Sequence, residues 1–280
     1  MPAASYPLYH VDAFTTRPFG GNPAGVVLDA QGLSDAQMQL VARELKHSET
    51  AFVLPSEKAD WRIRFFTPAR EVDLCGHATV ATAWVLASEG RIRRGRAVQE
   101  TNVGLLELDV ARDRVMMELA PPRVEAVELR RDDLARLLRV PAIHAERPVQ
   151  KAYCGIWVLL VPMPDQKSVN LCQPDLPELA ALNLELGVAG THLFSIEPDG
   201  ILYARFFAPA MGIPEDPVTG TANGALGAYL VLNGLAPGPE FRARQGDALG
   251  RPGEVELHAT PKSVRAGGRA VILSRGAITF

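Results

Sequence analysis

Arg64-Phe65-Phe66-Thr67-Pro68-Ala69, followed by Asp73-Leu74-Cys75-Gly76-His77-Ala78-Thr79, is written twice in this chain. The second copy is Arg205-Phe206-Phe207-Ala208-Pro209-Ala210, followed by Asp216-Pro217-Val218-Thr219-Gly220-Thr221-Ala222. Each copy runs an aromatic strand into a Pro-Ala turn, passes an aspartate, and opens a helix of small residues at a glycine. Twelve positions separate the arginine from that glycine in the first copy and fifteen in the second, a difference that one loop absorbs. Asp73 is then the counterpart of Asp216. Repetition at this long distance predicts two like domains, since solenoid repeats recur every 20–50 residues or so. Pro121-Pro122 breaks regular structure between the copies, which predicts domains over 1–120 and 121–280.

Outward from these two centres, the flanking segments take ordinary forms. Leu8 to Phe14 alternates as a half-buried strand does. Arg17 to Gly25 is a loop dense in Gly and Pro, returning into a strand at Val26. Ser34 and Gln37 make a capping box for a helix from Asp35, with Met38, Val41, Ala42 and Leu45 on one face. His47-Ser48-Glu49-Thr50-Ala51-Phe52-Val53 then sets a carboxylate at the mouth of an apolar strand. Helices are predicted from Gly76 to about Glu89 and from Gly220 to about Leu232, the latter stopped by Asn233-Gly234. The last hairpin is expected to turn at Gly267-Gly268.

The chemistry follows from those helix starts. The first turn of a helix carries unbonded amide groups and partial positive charge, so it can hold a carboxylate or an oxyanion. Gly76 and Gly220 let a ligand approach the backbone there. If the halves pack about a pseudo-two-fold axis, both starts face one cleft. His77, one position on, is disfavoured as a cation by the helix dipole; a neutral imidazole can donate to a developing enolate or pass a proton. Thr221 offers a hydroxyl at the matching place. Glu49 and Asp216 each lie where a loop meets an apolar element, and partial burial there raises a carboxyl pKa towards working pH. The bland alternatives are a buried ion pair for Glu49 and a capping role for His77 or Thr221. Cys75 sits at a helix start, where a thiol is acidified. Its counterpart is Thr219, so no second thiol faces it, which favours a packing role.

With 47% hydrophobic and 22% charged residues, the composition is that of a globular enzyme or binding protein. A net charge of −3 gives no general attraction to nucleic acid or to anionic membranes. Three cysteines are too few for a disulfide framework, and no leader-like or 18-residue apolar run occurs, so a cytoplasmic protein is expected. The six histidines are scattered without metal-ligand spacing, and no phosphate loop or nucleophile elbow is present. No metal or organic cofactor is expected.

Val11-Asp12-Ala13-Phe14, Gly20-Gly21-Asn22-Pro23-Ala24-Gly25, Ser48-Glu49-Thr50-Ala51-Phe52, Leu74 to Thr79 and Glu215 to Ala222 together resemble the phenazine-biosynthesis isomerase (PhzF-like) family, within the diaminopimelate epimerase fold. The resemblance implies an α+β protein of two similar domains related by pseudo-two-fold symmetry, each a β-barrel-like sheet around a central helix. It implies that Glu49 is the catalytic acid/base, with His77 and Asp216 as supporting polar residues. It further implies that Thr221 falls where the phenazine enzyme uses a serine hydroxyl, and that the protein is a homodimer. Asn22, Thr221 and the helix-start amides at Gly76 and Gly220 are the expected substrate-binding groups. Cys75 and Ala78 depart from the phenazine enzyme, so its substrate is not implied. The function expected is cofactor-independent isomerisation of a small carboxylate-bearing metabolite. The rivals are an amino-acid racemase or epimerase using Cys75, and a non-catalytic ligand-binding protein of the same fold.

Overall fold

The computed structural model describes residues 4–236 and 238–280. In chain order the first elements are β1 (Ser5–Ala13), β2 (Asn22–Val27), α1 (Asp35–Leu45), β3 (Glu49–Leu54), β4 (Trp61–Phe66), β5 (Glu71–Val72), α2 (Gly76–Ser88), β6 (Gly95–Thr101), β7 (Gly104–Val110) and β8 (Val115–Glu118). There follow β9 (Arg123–Ala126), α3 (Arg131–Leu138), β10 (Gln150–Tyr153), β11 (Trp157–Pro162), α4 (Gln166–Leu171), α5 (Leu176–Leu186), β12 (Gly190–Ile196), β13 (Leu202–Ala208) and β14 (Ile213–Asp216). The chain ends with α6 (Gly220–Leu232), β15 (Glu240–Gln245), β16 (Gly253–Ala259), β17 (Val264–Gly268) and β18 (Ala270–Thr279). The fold is α+β. No helix among the described residues is long and apolar enough to cross a membrane.

Two compact units are present: Met1–Glu118 with Gly267–Phe280, and Leu119–Ala266. Residues 267–280 belong with the first because β18 pairs antiparallel along the whole of β1, from Ser5 opposite Thr279 to Ala13 opposite Ala270. In this unit β1 also pairs with β2, and β2 runs parallel to β3 with Ala24 opposite Glu49. The strands curve about α2, which packs on β1, β2, β3, β7, β8 and β18. Residues 77–83 of α2, with Val85 and Leu86, are buried. An apolar surface all round marks a helix enclosed by other elements, and Ala, Val and Thr let the sheet come close. The capping box of α1 forms as the sequence predicts, with the Ser34 side chain accepting from the Gln37 amide. Met38, Val41 and Ala42 then pack on Leu8, Val27, Phe52 and Phe66.

The second unit follows the same plan. Helix α6 packs on β9, β10, β11 and β16, and its residues 222–230 are buried. Around it β12 pairs antiparallel with β13, and β15 runs parallel to β13 with Gln245 opposite Ala204. A second layer, Leu134, Leu137 and Leu138 of α3 and Leu179 of α5, covers Leu159 and Val161 of β11.

Strand registers correct one point of the sequence comparison. Val72 lies opposite Phe65 in the first unit, and Asp216 lies opposite Phe206 in the second. Arg64 forms a bidentate pair with Glu71, and Arg205 forms one with Glu215. From those glutamates to the helix glycines the two copies therefore align without a gap. Asp216 matches Val72, not Asp73. The three extra residues of the second copy fall between Ala208 and Glu215, a stretch that includes the short turn Pro209–Met211.

Candidate active site

Glu49 is the first residue of β3 and His77 the second of α2, and the parallel β2–β3 pairing brings both to the same end of the first unit. The Nε2 atom of His77 lies 3.3 Å from a Glu49 carboxylate oxygen and 3.3 Å from Ser48 Oγ. Nδ1 lies 3.3 Å from the sulfur of Cys75. Ser48 in turn donates to Asn22 Oδ1 at 3.4 Å, and Asn22 is fully buried. Glu49, His77, Cys75 and Asn22, singled out separately in the sequence, thus form one cluster with Ser48. The serine sits beside the glutamate in sequence, but nothing in the local pattern marks its hydroxyl as a partner of His77.

The imidazole is neutral at working pH. Burial pushes the His77 pKa down to about 3, the charge of nearby His47 adds to this, and a hydrogen bond to the Pro23 backbone carbonyl opposes both. His47 itself contacts His10, whose Nδ1 lies 2.8 Å from His47 Nε2. The loop that carries Asn22 and Pro23 is held from below. Buried Asp12 accepts the Phe19 amide at 2.7 Å, and Gly21 takes φ +58° where a Cβ would collide with the Ala13 carbonyl. Strand β2 therefore begins at Asn22, four residues before the expected return at Val26.

Neither central helix is capped through its preceding side chain: Cys75 and Thr219 are both extended and make no side-chain cap bond. The first-turn amides of α2 and α6 accordingly face a position where an anion is favoured. One carboxylate oxygen, one sulfur and one ring nitrogen from Glu49, Cys75 and His77 lie within 4.8 Å of one another. These donor types can hold a zinc ion.

Asp216, Gly220 and Thr221 stand together in the second unit, at the end of β14 and the start of α6. Asp216 is buried and accepts a hydrogen bond from the Thr219 hydroxyl. Gln245, Asn223 and His192 complete a polar group that the sequence did not reveal, since they come from three distant segments.

Residues 11–276 match the family model described as phenazine biosynthesis-like protein, PhzC-PhzF. The chain is 41% identical to the uncharacterized isomerase YddE of Salmonella typhimurium, over 98% of this chain and 99% of the relative. Its fold matches the crystal structure of a PhzF-family phenazine biosynthesis protein from Bacillus anthracis, with a TM-score of 0.90 and 30% identity over 99% of this chain and all of that one. A hydroxyproline epimerase from Agrobacterium vitis shares the fold alone, with a TM-score of 0.68 at 16% identity over 99% and 93% of the two chains. The family and the relatives' names support an isomerase or epimerase activity. On a match that spans nearly the whole chain, this protein belongs to the PhzC-PhzF family of phenazine biosynthesis-like proteins.

Proposed function

We propose that this protein is a cofactor-independent isomerase that moves a carbon-bound proton on a small carboxylate-bearing metabolite. The observation that carries the reading is the 3.3 Å contact between Glu49 and the neutral imidazole of His77 at an uncapped helix start. Glu49 takes the proton from carbon and returns it at another position. His77 donates to, or relays protons for, the charge that this leaves. A carbon acid is weak, so the enolate-like intermediate must be held by fixed donors, and amides opening a central helix are donors of that kind. Asn22 orients Ser48 in the same cluster. Asp216, Gly220 and Thr221 enter by family resemblance, as charge-steering and substrate-binding groups. A homodimer enters on the same ground, and light scattering at micromolar concentration measures it.

The test is hydrogen exchange. A panel of small carboxylates incubated with the protein in deuterated water should contain at least one that gains deuterium at carbon, and Glu49→Gln should abolish the gain. A binding protein binds members of the panel and exchanges none. One observation favours a second reading: Cys75 Sγ contacts His77 Nδ1, as a thiol base would. Under racemisation with Cys75, Cys75→Ala loses exchange; under the proposed isomerisation it retains it.

A further inference from the structure

We propose that Gln245 is a positioning residue for Asp216, the central link of a one-way hydrogen-bond chain that starts at His192 and ends on the Asp216 carboxylate. The inference rests on the reading above, in which Asp216 steers charge during proton transfer. The geometry of the chain stands by itself.

Backbone groups fix its direction. The Thr219 N–H can only donate, and it points at Gln245 Oε1 at 3.3 Å. The Asp216 carbonyl can only accept, and it receives Gln245 Nε2 at 2.9 Å. The Gln245 amide therefore has one allowed orientation. Its Nε2 also donates to Thr219 Oγ1 at 3.3 Å, so the single hydroxyl proton of Thr219 is left for Asp216 Oδ2. Upstream, Asn223 Nδ2 donates to the Thr219 carbonyl at 3.0 Å and to Gln245 Oε1 at 2.8 Å. Asn223 Oδ1 must then be the acceptor for His192 Nε2, 3.2 Å away, which places the imidazole proton on Nε2. From side chain to side chain, His192 to Asn223 to Gln245 to Thr219, each donor points towards Asp216. A chain ordered this way presents Asp216 with an O–H donor, which a carboxylate satisfies and a carboxylic acid's own proton opposes.

The fold does not require this arrangement. The first unit carries a related but different lock: Gln99 of β6, parallel to β4, donates to Thr79 Oγ1 at 2.9 Å, and Thr79 is the fourth residue of α2 as Asn223 is of α6. Gln99, however, lies opposite Trp61, two positions short of the register of Gln245, and donates where Gln245 accepts. There the lock stops. Val72 stands in the place of Asp216, Cys75 in that of Thr219, and Gln99 Oε1 is buried without a hydrogen-bond partner. Only the copy with the carboxylate extends the lock into a chain. Gly246 helps to aim it: φ is +97°, and a Cβ there would meet the Arg251 and Pro217 carbonyls. The neighbouring charge of Glu215 is taken by Arg205, so it does not compete for Thr219 or Gln245.

The test reads the Asp216 carboxyl directly, so its failure is separable from failure of the exchange assay. Asp216 is assigned in the ¹³C carboxyl spectrum of the full chain by the signal lost in Asp216→Asn, then titrated. In Gln245→Met the titration should move up by about one pH unit, because the Thr219 hydroxyl, the donor that this chain gives the carboxylate, is no longer held towards it by the Gln245 amide. Thr219→Val should move it likewise, and Thr219→Ser should restore it. A folded Gln245→Met whose Asp216 titrates as in the parent overturns the proposal. If Gln245→Met does not fold, the Thr219 pair decides by the same shift: equal titrations in the Val and Ser variants overturn it.

Discussion

Glu49 and His77 lie 3.3 Å apart with only 13% and 7% of their side chains exposed, so any reagent that reaches one of them meets the other. This makes Glu49→Gln the most informative single change. Gln keeps the size of the side chain but loses the titrating group, and general acid–base catalysis is worth about 10²–10⁴-fold. Deuterium exchange into a responsive carboxylate should fall by that order, with carboxylate affinity little changed. An unaltered exchange rate in a less stable protein would remove Glu49 from the mechanism and leave it a structural partner of His77.

The buried histidines set an acid limb for stability. Burial pushes His77 down to about 3 and His192 to about 4, whereas unfolded imidazoles titrate near pH ~6.5. Between those values the unfolded chain binds more protons, so stability present above pH ~6.5 is lost as pH falls. By pH 5 the loss should be about 2 kcal/mol per histidine. Urea unfolding at pH 7.5, 6 and 5 measures the slope, and His77→Asn or His192→Gln should flatten it. A slope that neither variant alters would place the pH dependence elsewhere.

The two repeated arginine–glutamate pairs should differ in weight. Arg205 and Glu215 are exposed by 9% and 12%, against 16% and 29% for Arg64 and Glu71. Arg205 NH1 also donates to the carbonyls of Val169, Asn170 and Cys172 at the end of α4. Arg205→Met strands a buried carboxylate together with those carbonyls and should cost about 3–5 kcal/mol. Arg64→Met should cost less, and equal urea midpoints for the two variants would contradict this ranking.

Gly21→Ala tests the support of Asn22. Alanine is strained at φ +58° and its Cβ collides with the Ala13 carbonyl, so the substitution should cost more than about 2 kcal/mol. Gly90 also has positive φ, at +68°, but a Cβ there has open space around it. Gly90→Ala should therefore cost distinctly less, and matching losses would show that the collision is relieved.

The cluster of Glu49, Cys75 and His77 calls for a metal test. Under the proposed mechanism, exhaustive chelation followed by dialysis leaves deuterium exchange intact. Loss of exchange that zinc restores would instead assign those three residues to a metal.

The centre of each unit was legible because its signal is local. A glycine opening a run of Ala, Val and Thr has one good structural use, and the Ser34–Gln37 box lies within one turn. What escaped depends on long-range pairing. Asn22 to Gly25 has the Gly and Pro of a loop, yet pairing with β1 along its length, and with β3 from Ala24 on, makes it strand. Matching Asp73 to Asp216 followed residue type, whereas the salt-bridged glutamates and strand registers align Val72 instead. Gln245 gave no signal because an amide acquires meaning only from the groups around it, here at positions 216, 219 and 223.

The pairing of β18 with β1 has a consequence for how the chain is made. Synthesis delivers β1 first, but one of its two strand neighbours leaves the ribosome only after residues 119–266 have been built. The second unit, continuous in sequence, can close as soon as residue 266 emerges, while the first waits with an open edge along β1. The half translated earliest is thus the one completed last.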